Sequence, residues 1–122
     1  MTTIDDILFP PIEPYESGNL DVDDIHSLHW EQCGNPDGVP IVFLHGGPGE
    51  GCNENRRRFF DPERYRVILF DQRGAKRSKP LGETKNNSPG HLVSDLEALR
   101  GMFGIGRWHV FGGSWARILV LM

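Results

Sequence analysis

Three stretches of the chain are apolar with almost no polar alternation: Ile41-Val-Phe-Leu44, Tyr65-Arg-Val-Ile-Leu-Phe70 and Trp108-His-Val-Phe111. Runs of this kind, rich in β-branched and aromatic residues, suit strands covered on both faces, as in a parallel sheet. Ser27 to Gln32 differs, because Leu28 and Trp30 fall on one face with polar residues between them, which predicts a strand with two unlike faces. Asn35-Pro-Asp-Gly38 predicts a hairpin or tight bend, with proline presetting the second position and glycine accepting positive φ. Between the second and third apolar runs, Leu92, Leu96, Leu99 and Phe103 recur at helical spacing within His91 to Phe103. Ser88 suits the N-cap of that helix and Pro89 its first position. Buried strands joined by a crossover helix predict an α/β fold with a mostly parallel sheet. Residues 1–24, with Pro10, Pro11 and Pro14 among acids, predict an extended, poorly regular lead-in, leaving 25–122 as the domain.

Each apolar run empties into residues of a different character: His45-Gly-Gly-Pro-Gly49, Asp71-Gln-Arg-Gly74 continuing to Ser78, and Gly112-Gly-Ser114. In parallel sheets ligands bind outside the carboxyl ends of the strands, so the three exits predict one site. Around Ser114 the order strand, glycine pair, serine, apolar helical run is that of a nucleophile elbow. Small neighbours two residues before and after the serine let strand and helix pack closely; here they are Gly112 and Ala116, so the pattern is G-x-S-x-A.

A serine hydroxyl needs a base to take its proton, and the oxyanion that forms needs preorganised donors. The candidate donors are the amide of Trp115 and one from Gly46 or Gly47, in a loop whose glycines leave backbone N–H groups unobstructed. As a phosphate loop the segment fails, since it lacks G-x-x-x-x-G-K-[ST] and Glu50 opposes an anion. The five histidines lack H-E-x-x-H or C-x-x-C companions, so no metal or other cofactor is expected. In a Ser, acid, His order the base would follow Ser114, yet the eight residues after it contain neither acid nor histidine. The reverse order, His45 with Asp71 or Asp95, is formally open, but a histidine hydrogen-bonded at a strand end is the favoured reading of His45. For Arg73 the favoured reading is an Arg–carboxylate tie, and for Arg56-Arg-Arg58 a solvated helix face.

Composition narrows the classes. A net charge of -4 over 122 residues provides no basic surface for nucleic acid, and no apolar run is long enough to span a bilayer. The acids near the start do not suit a secretory signal, so the cytoplasm is the expected compartment and Cys33 and Cys52 are expected as reduced thiols, Cys52 as a small buried filler.

The succession Glu13-Pro-Tyr15, Trp30-Glu-Gln-Cys-Gly-Asn-Pro-Asp-Gly38, His45-Gly-Gly-Pro-Gly49, Phe60-Asp-Pro-Glu-Arg-Tyr-Arg66, Asp71-Gln-Arg-Gly74 and Gly112-Gly-Ser-Trp115 resembles the N-terminal part of prolyl iminopeptidases. The resemblance implies an incomplete α/β-hydrolase fold and a serine aminopeptidase acting on peptides with an N-terminal proline. It implies Ser114 as nucleophile and the amides of Gly46 and Trp115 as oxyanion donors. His45, Gly47, Pro48, Gly49, Asp71, Arg73, Gly112 and Gly113 complete the motifs. The family's acid, histidine and cap would lie beyond Met122, so these 122 residues alone are expected to be inactive. Departures from the family pattern are Lys76 for a glycine, Pro89 and Gly90 for a threonine and a tryptophan, Ala116 for a glycine, and Arg117 in the first turn of the elbow helix. That cation opposes the helix dipole at roughly 0.3–1 kcal/mol. A truncated or degenerate remnant, a non-catalytic binding module and another hydrolase such as an esterase remain the alternative readings.

Overall fold

A computed structural model describes residues 9–45, 57–58, 60–75, 77–82 and 89–112. They form strands β1 (Glu16–Asp21), β2 (Ser27–Gly34), β3 (Val39–Leu44) and β4 (Tyr65–Phe70), helix α1 (Pro89–Met102), and strand β5 (His109–Gly112). The sheet order is β1-β2-β4-β3-β5. β4, β3 and β5 are parallel neighbours, as the apolar runs predict, whereas β1 and β2 join the sheet antiparallel. Among the described residues the sheet is therefore mixed, with its three apolar strands parallel.

The register Ile41↔Val67, Val42↔Ile68, Phe43↔Leu69 aligns the two central strands so that alternate residues feed opposite faces. Val42, Leu44, Ile68 and Phe70 join Leu28 and Trp30 of β2 beneath α1, which contributes Leu92, Leu96 and Leu99 at their helical spacing. Ile41, Phe43, Val67 and Leu69 line the other face with Cys33 and Phe60. Each of these large side chains, when fully buried, contributes about 1.5–3 kcal/mol. Both faces of β3 and β4 are thus covered, which is why their sequences show no polar alternation.

Helix α1 stops where Gly104 takes φ +67°. The Ile105 N–H reaches the Arg100 carbonyl and the Gly104 N–H the Gly101 carbonyl, a paired closure of the last turn that needs a left-handed residue between. The chain then returns to β5, while Phe103 packs edge-on against Trp30 at 5.0 Å.

Three expectations are corrected, and of the two readings of Asn35–Gly38 one holds. The lead-in contains β1, paired with β2 along Glu16↔Gln32 to Asp21↔Ser27. Its sequence hides it because only Leu20 is apolar, and Gly18 passes so close to Trp30 that a Cβ there would lie 2.8 Å from the indole. The Asn35–Gly38 segment is a tight bend, closed by Gly38 N–H to the Asn35 carbonyl at 2.9 Å, but not a hairpin, since β4 lies between β2 and β3. β5 spans His109–Gly112 and is half open: among the described residues it pairs only with β3, and Phe111 is 46% exposed. Arg57 and Arg58 turn inward rather than to solvent. Glu31 on β2 is buried, and a buried carboxylate requires a counter-charge, which Arg57 supplies through two hydrogen bonds of 2.8 and 2.9 Å. Arg58 donates to the Phe9 carbonyl at 2.7 Å.

Cys33 is a fully buried free thiol, and burial first, with Glu31 adding to it, pushes its pKa up to about 12. A disulfide reagent is expected to reach this thiol only at the rate of unfolding. Because the folded value is raised, the stability carried by the neutral thiol is intact below ~8.5 and lost as pH rises toward about 12. Rapid labelling of Cys33 in the folded protein at pH 8 would contradict this. Cys52 lies outside the described residues.

Candidate active site at the strand exits

Because β4, β3 and β5 run parallel and adjacent, their carboxyl ends share one edge of the sheet. Leu44 pairs with Gly112 in the last register position of β3 and β5. The residue directly after β3 is His45, and in sequence Ser114 follows Gly112 by two residues. Asp71 to Gly74 leave β4 on the opposite flank of His45. Of the predicted site residues, His45, Asp71, Arg73 and Gly112 are described; Gly46, Gly47, Pro48, Gly49, Gly113, Ser114 and Trp115, with Lys76, Ala116 and Arg117, lie outside the described residues.

His45 is fully buried, and its Nε2 accepts the backbone N–H of Gln72 at 2.9 Å. An imidazole nitrogen that accepts an N–H carries no proton, so the ring proton sits on Nδ1 and the Nε2 lone pair is engaged. To act as a base through Nε2 the ring would have to release this bond. The acids proposed to orient it are engaged as well. Asp71, fully buried, takes the Arg77 Nε at 2.8 Å and the Arg77 backbone N–H at 3.2 Å on its Oδ2. Asp95, on α1, takes both arms of Arg73 at 2.7 Å. His45 Nε2, Asp71 Oδ2 and Asp95 are thus each engaged, by Gln72, Arg77 and Arg73 respectively.

Arg73 forms the expected carboxylate tie with Asp95 of α1, and its third nitrogen reaches Asp23, in the β1–β2 connection, at 2.8 Å. The hydrogen bond to Asp95, followed by the nearby negative charges, holds the guanidinium above its ordinary pKa against the pull of burial. Loop 71–78 is also stitched to β2. Ser78 Oγ accepts the His29 N–H at 2.9 Å and donates to the Asp71 carbonyl, and Ser27 and Lys79 exchange two backbone bonds of 2.9 Å. These bonds hold the β4 exit rigidly against the rest of the sheet.

Sequence reasoning gave Gln72 and Ser78 no role. A side chain that reaches a neighbouring strand's exit leaves no local periodicity, so the only available signal was a polar residue directly after a buried run. A cleft of about 610 Å³, bounded by Val39, Pro40, Arg100, Trp108 and His109, opens at the amino ends of β3 and β5. It is one strand length, roughly 20 Å, from the exits and is not placed for chemistry there. Among the described residues no three His, Cys, Asp or Glu side chains form a metal-ligating group, and no helix is long and apolar enough to cross a membrane.

Comparison with known proteins agrees with this architecture. A family model described as alpha/beta hydrolase fold matches residues 39–120. A proline iminopeptidase of Xylella fastidiosa is 58% identical over 114 residues, covering 93% of this chain and 36% of the relative. Among solved structures, a proline iminopeptidase-related protein of Thermus thermophilus superposes with a TM-score of 0.70 at 26% identity, covering 87% of this chain and 38% of that one. A putative epoxide hydrolase of Pseudomonas aeruginosa gives 0.69 at 26% identity, with coverages of 92% and 37%. The chain thus spans little more than a third of the length of the relatives it matches.

Proposed function

Since the chain belongs to the α/β-hydrolase fold family, a family of hydrolases that includes close relatives named proline iminopeptidase, we propose that the whole protein is a serine peptidase that releases an N-terminal proline, with Ser114 as its nucleophile. The observation that carries this reading is the Leu44↔Gly112 register, which sets the approach to Ser114 beside the approach to the His45–Gly49 loop. Fold likeness alone does not select the reaction, because epoxide hydrolases share the architecture; the residues at the strand exits must do so.

In this mechanism Ser114 Oγ bonds to the carbonyl carbon of the N-terminal prolyl residue as a base removes its proton. The carbonyl electrons collect on oxygen, where the amides of Trp115 and of Gly46 or Gly47 meet them. Collapse breaks the C–N bond, the shortened peptide leaves as a protonated amine, and one water hydrolyses the prolyl ester. His45 is engaged through Nε2, and in this reading the base and the orienting acid belong to the part of the longer protein that this chain, spanning 36% of its relative, does not cover. No cofactor takes part, no nucleic acid or membrane is a partner, and the cytoplasm is the compartment.

The test is turnover of proline arylamide by the whole protein, compared with alanine and leucine arylamides and a nitrophenyl ester. Preference for the proline substrate by ~10-fold or more is expected. Ester cleavage with no arylamide turnover would favour an esterase, and inertness toward all four a non-catalytic protein.

A further inference from the structure

The two ends of the parallel strands are held differently. At the carboxyl ends the Gln72 side-chain Nε2 donates to the His45 carbonyl at 3.0 Å, so β3 and β4 stay joined past their last register pair, Phe43↔Leu69. At the amino ends β3 begins two residues before it meets β5: Val39 and Pro40 pair with Tyr65 and Arg66 of β4, but the ladder to β5 starts only at Ile41↔His109. Arg100, near the end of α1, accounts for the late start. Its Nη1 donates to the Ile105 and Gly106 carbonyls at 2.9 and 3.0 Å, which keeps the incoming chain at the helix end, and Pro40 has no N–H to draw it into a ladder. The gap left between them is the cleft of about 610 Å³, a volume within the range of small-molecule sites.

Its walls are of two kinds. Val39, Pro40 and the half-buried Trp108 are apolar, and the rest of the lining is charged or polar. Arg100 and Glu97 are spent on each other, Arg100 Nε donating to Glu97 Oε2 at 3.2 Å, so their charges cancel. Arg107 is exposed and makes no hydrogen bond or ion pair among the described residues, and the exposed His109 offers a ring N–H in its neutral form. The lining therefore carries one uncancelled positive charge and one further donor beside an apolar wall, with the Glu97 carboxylate opposing a second negative charge on any ligand. A guanidinium matches a carboxylate through two parallel hydrogen bonds. An exposed ion pair alone contributes little, so affinity here requires the apolar wall as well. We propose that this cleft is a binding site for a small monocarboxylate with a flat apolar body, its carboxylate on Arg107 and its ring against Trp108. The site lies at the opposite edge of the sheet from the strand exits and is independent of the peptidase chemistry proposed there.

The test uses the whole protein and follows the Trp108 indole and His109 ring signals by NMR during titration with benzoate. Acetate supplies the charge without the ring, benzamide the ring without the charge, and inorganic phosphate a second charge. Benzoate is expected to shift both sets of signals to saturation, and each of the other three to bind about 10-fold or more weakly. Arg107→Ala is expected to weaken benzoate about 10-fold or more at an unchanged melting temperature, because a charged hydrogen-bond partner is lost from an exposed position, and Arg107→Lys to recover only part of that loss. Signals unmoved by benzoate, as they would be if the remainder of the longer protein covered the cleft, overturn the proposal. Acetate or phosphate binding as tightly as benzoate overturns it too, since the apolar wall or the single charge would then decide nothing. So does benzoate binding that Arg107→Ala leaves unchanged. The comparison of the four probes on the unmodified protein stands without either variant.

Discussion

Ser114→Ala in the whole protein is expected to lower kcat/KM for a proline arylamide by on the order of 10⁴-fold or more, without unfolding it. In the proposed mechanism the hydroxyl oxygen bonds to the substrate, so its loss removes the covalent route entirely. What remains is whatever the oxyanion donors and substrate binding achieve with water as nucleophile. The same substitution should leave binding of free proline intact, because product makes no bond to Oγ. The measurement is steady-state turnover with the alanine variant purified free of wild-type enzyme. Retention of more than about a hundredth of the activity would mean that another group attacks the substrate, and Ser114 would become an ordinary turn residue.

The second large effect is on stability. Arg73→Met removes the cation from a pair in which Asp95 is 1% and Arg73 5% exposed, and should destabilise the fold by about 3–5 kcal/mol at neutral pH. The cost arises from the carboxylate left behind rather than from the lost bonds. Burial already pushes the Asp95 carboxyl up, with Arg73 opposing that shift. Without Arg73 the folded-state pKa rises further above the unfolded one, so the neutral acid is accommodated at low pH and the penalty grows as pH increases. The deficit of the variant relative to wild type is therefore expected to shrink on acidification. Arg73→Met with Asp95→Leu should recover much of the loss, since a buried ion pair replaced by apolar groups is often neutral. Denaturant titrations of both variants at pH 5 and pH 8 test this; a deficit independent of pH would show that Asp95 is not the group left uncompensated.

The parts of the fold that were legible are those where one residue's environment matches its neighbours'. Tyr65–Phe70 reads as a strand covered on both sides and is one, and the Leu92, Leu96, Leu99 face meets the sheet as its spacing requires. Glu16–Asp21 was illegible because its place in the sheet comes from backbone pairing with β2 and contact with Trp30, neither of which needs apolar side chains at alternate positions. The inward turn of Arg57 follows from Glu31, 26 residues away, and no local pattern announces such a pairing. At the site, His45 and Arg73 could be interpreted from residue type and position after a buried strand. Gln72 could not, because its importance lies in which carbonyl it reaches.

The position of β4 between β2 and β3 bears on how the molecule folds. β2 and β3 are consecutive and joined by a four-residue bend rich in turn formers, the arrangement that most rapidly closes into a hairpin. The native sheet instead keeps them two strand spacings apart, roughly 10 Å, with a strand from about 25 residues further along between them. Local preference and final topology compete here, and the fast pairing must remain open, or reopen, before the sheet can close. A transient β2–β3 hairpin, absent from the finished protein, is therefore expected to form early and to delay closure of the sheet.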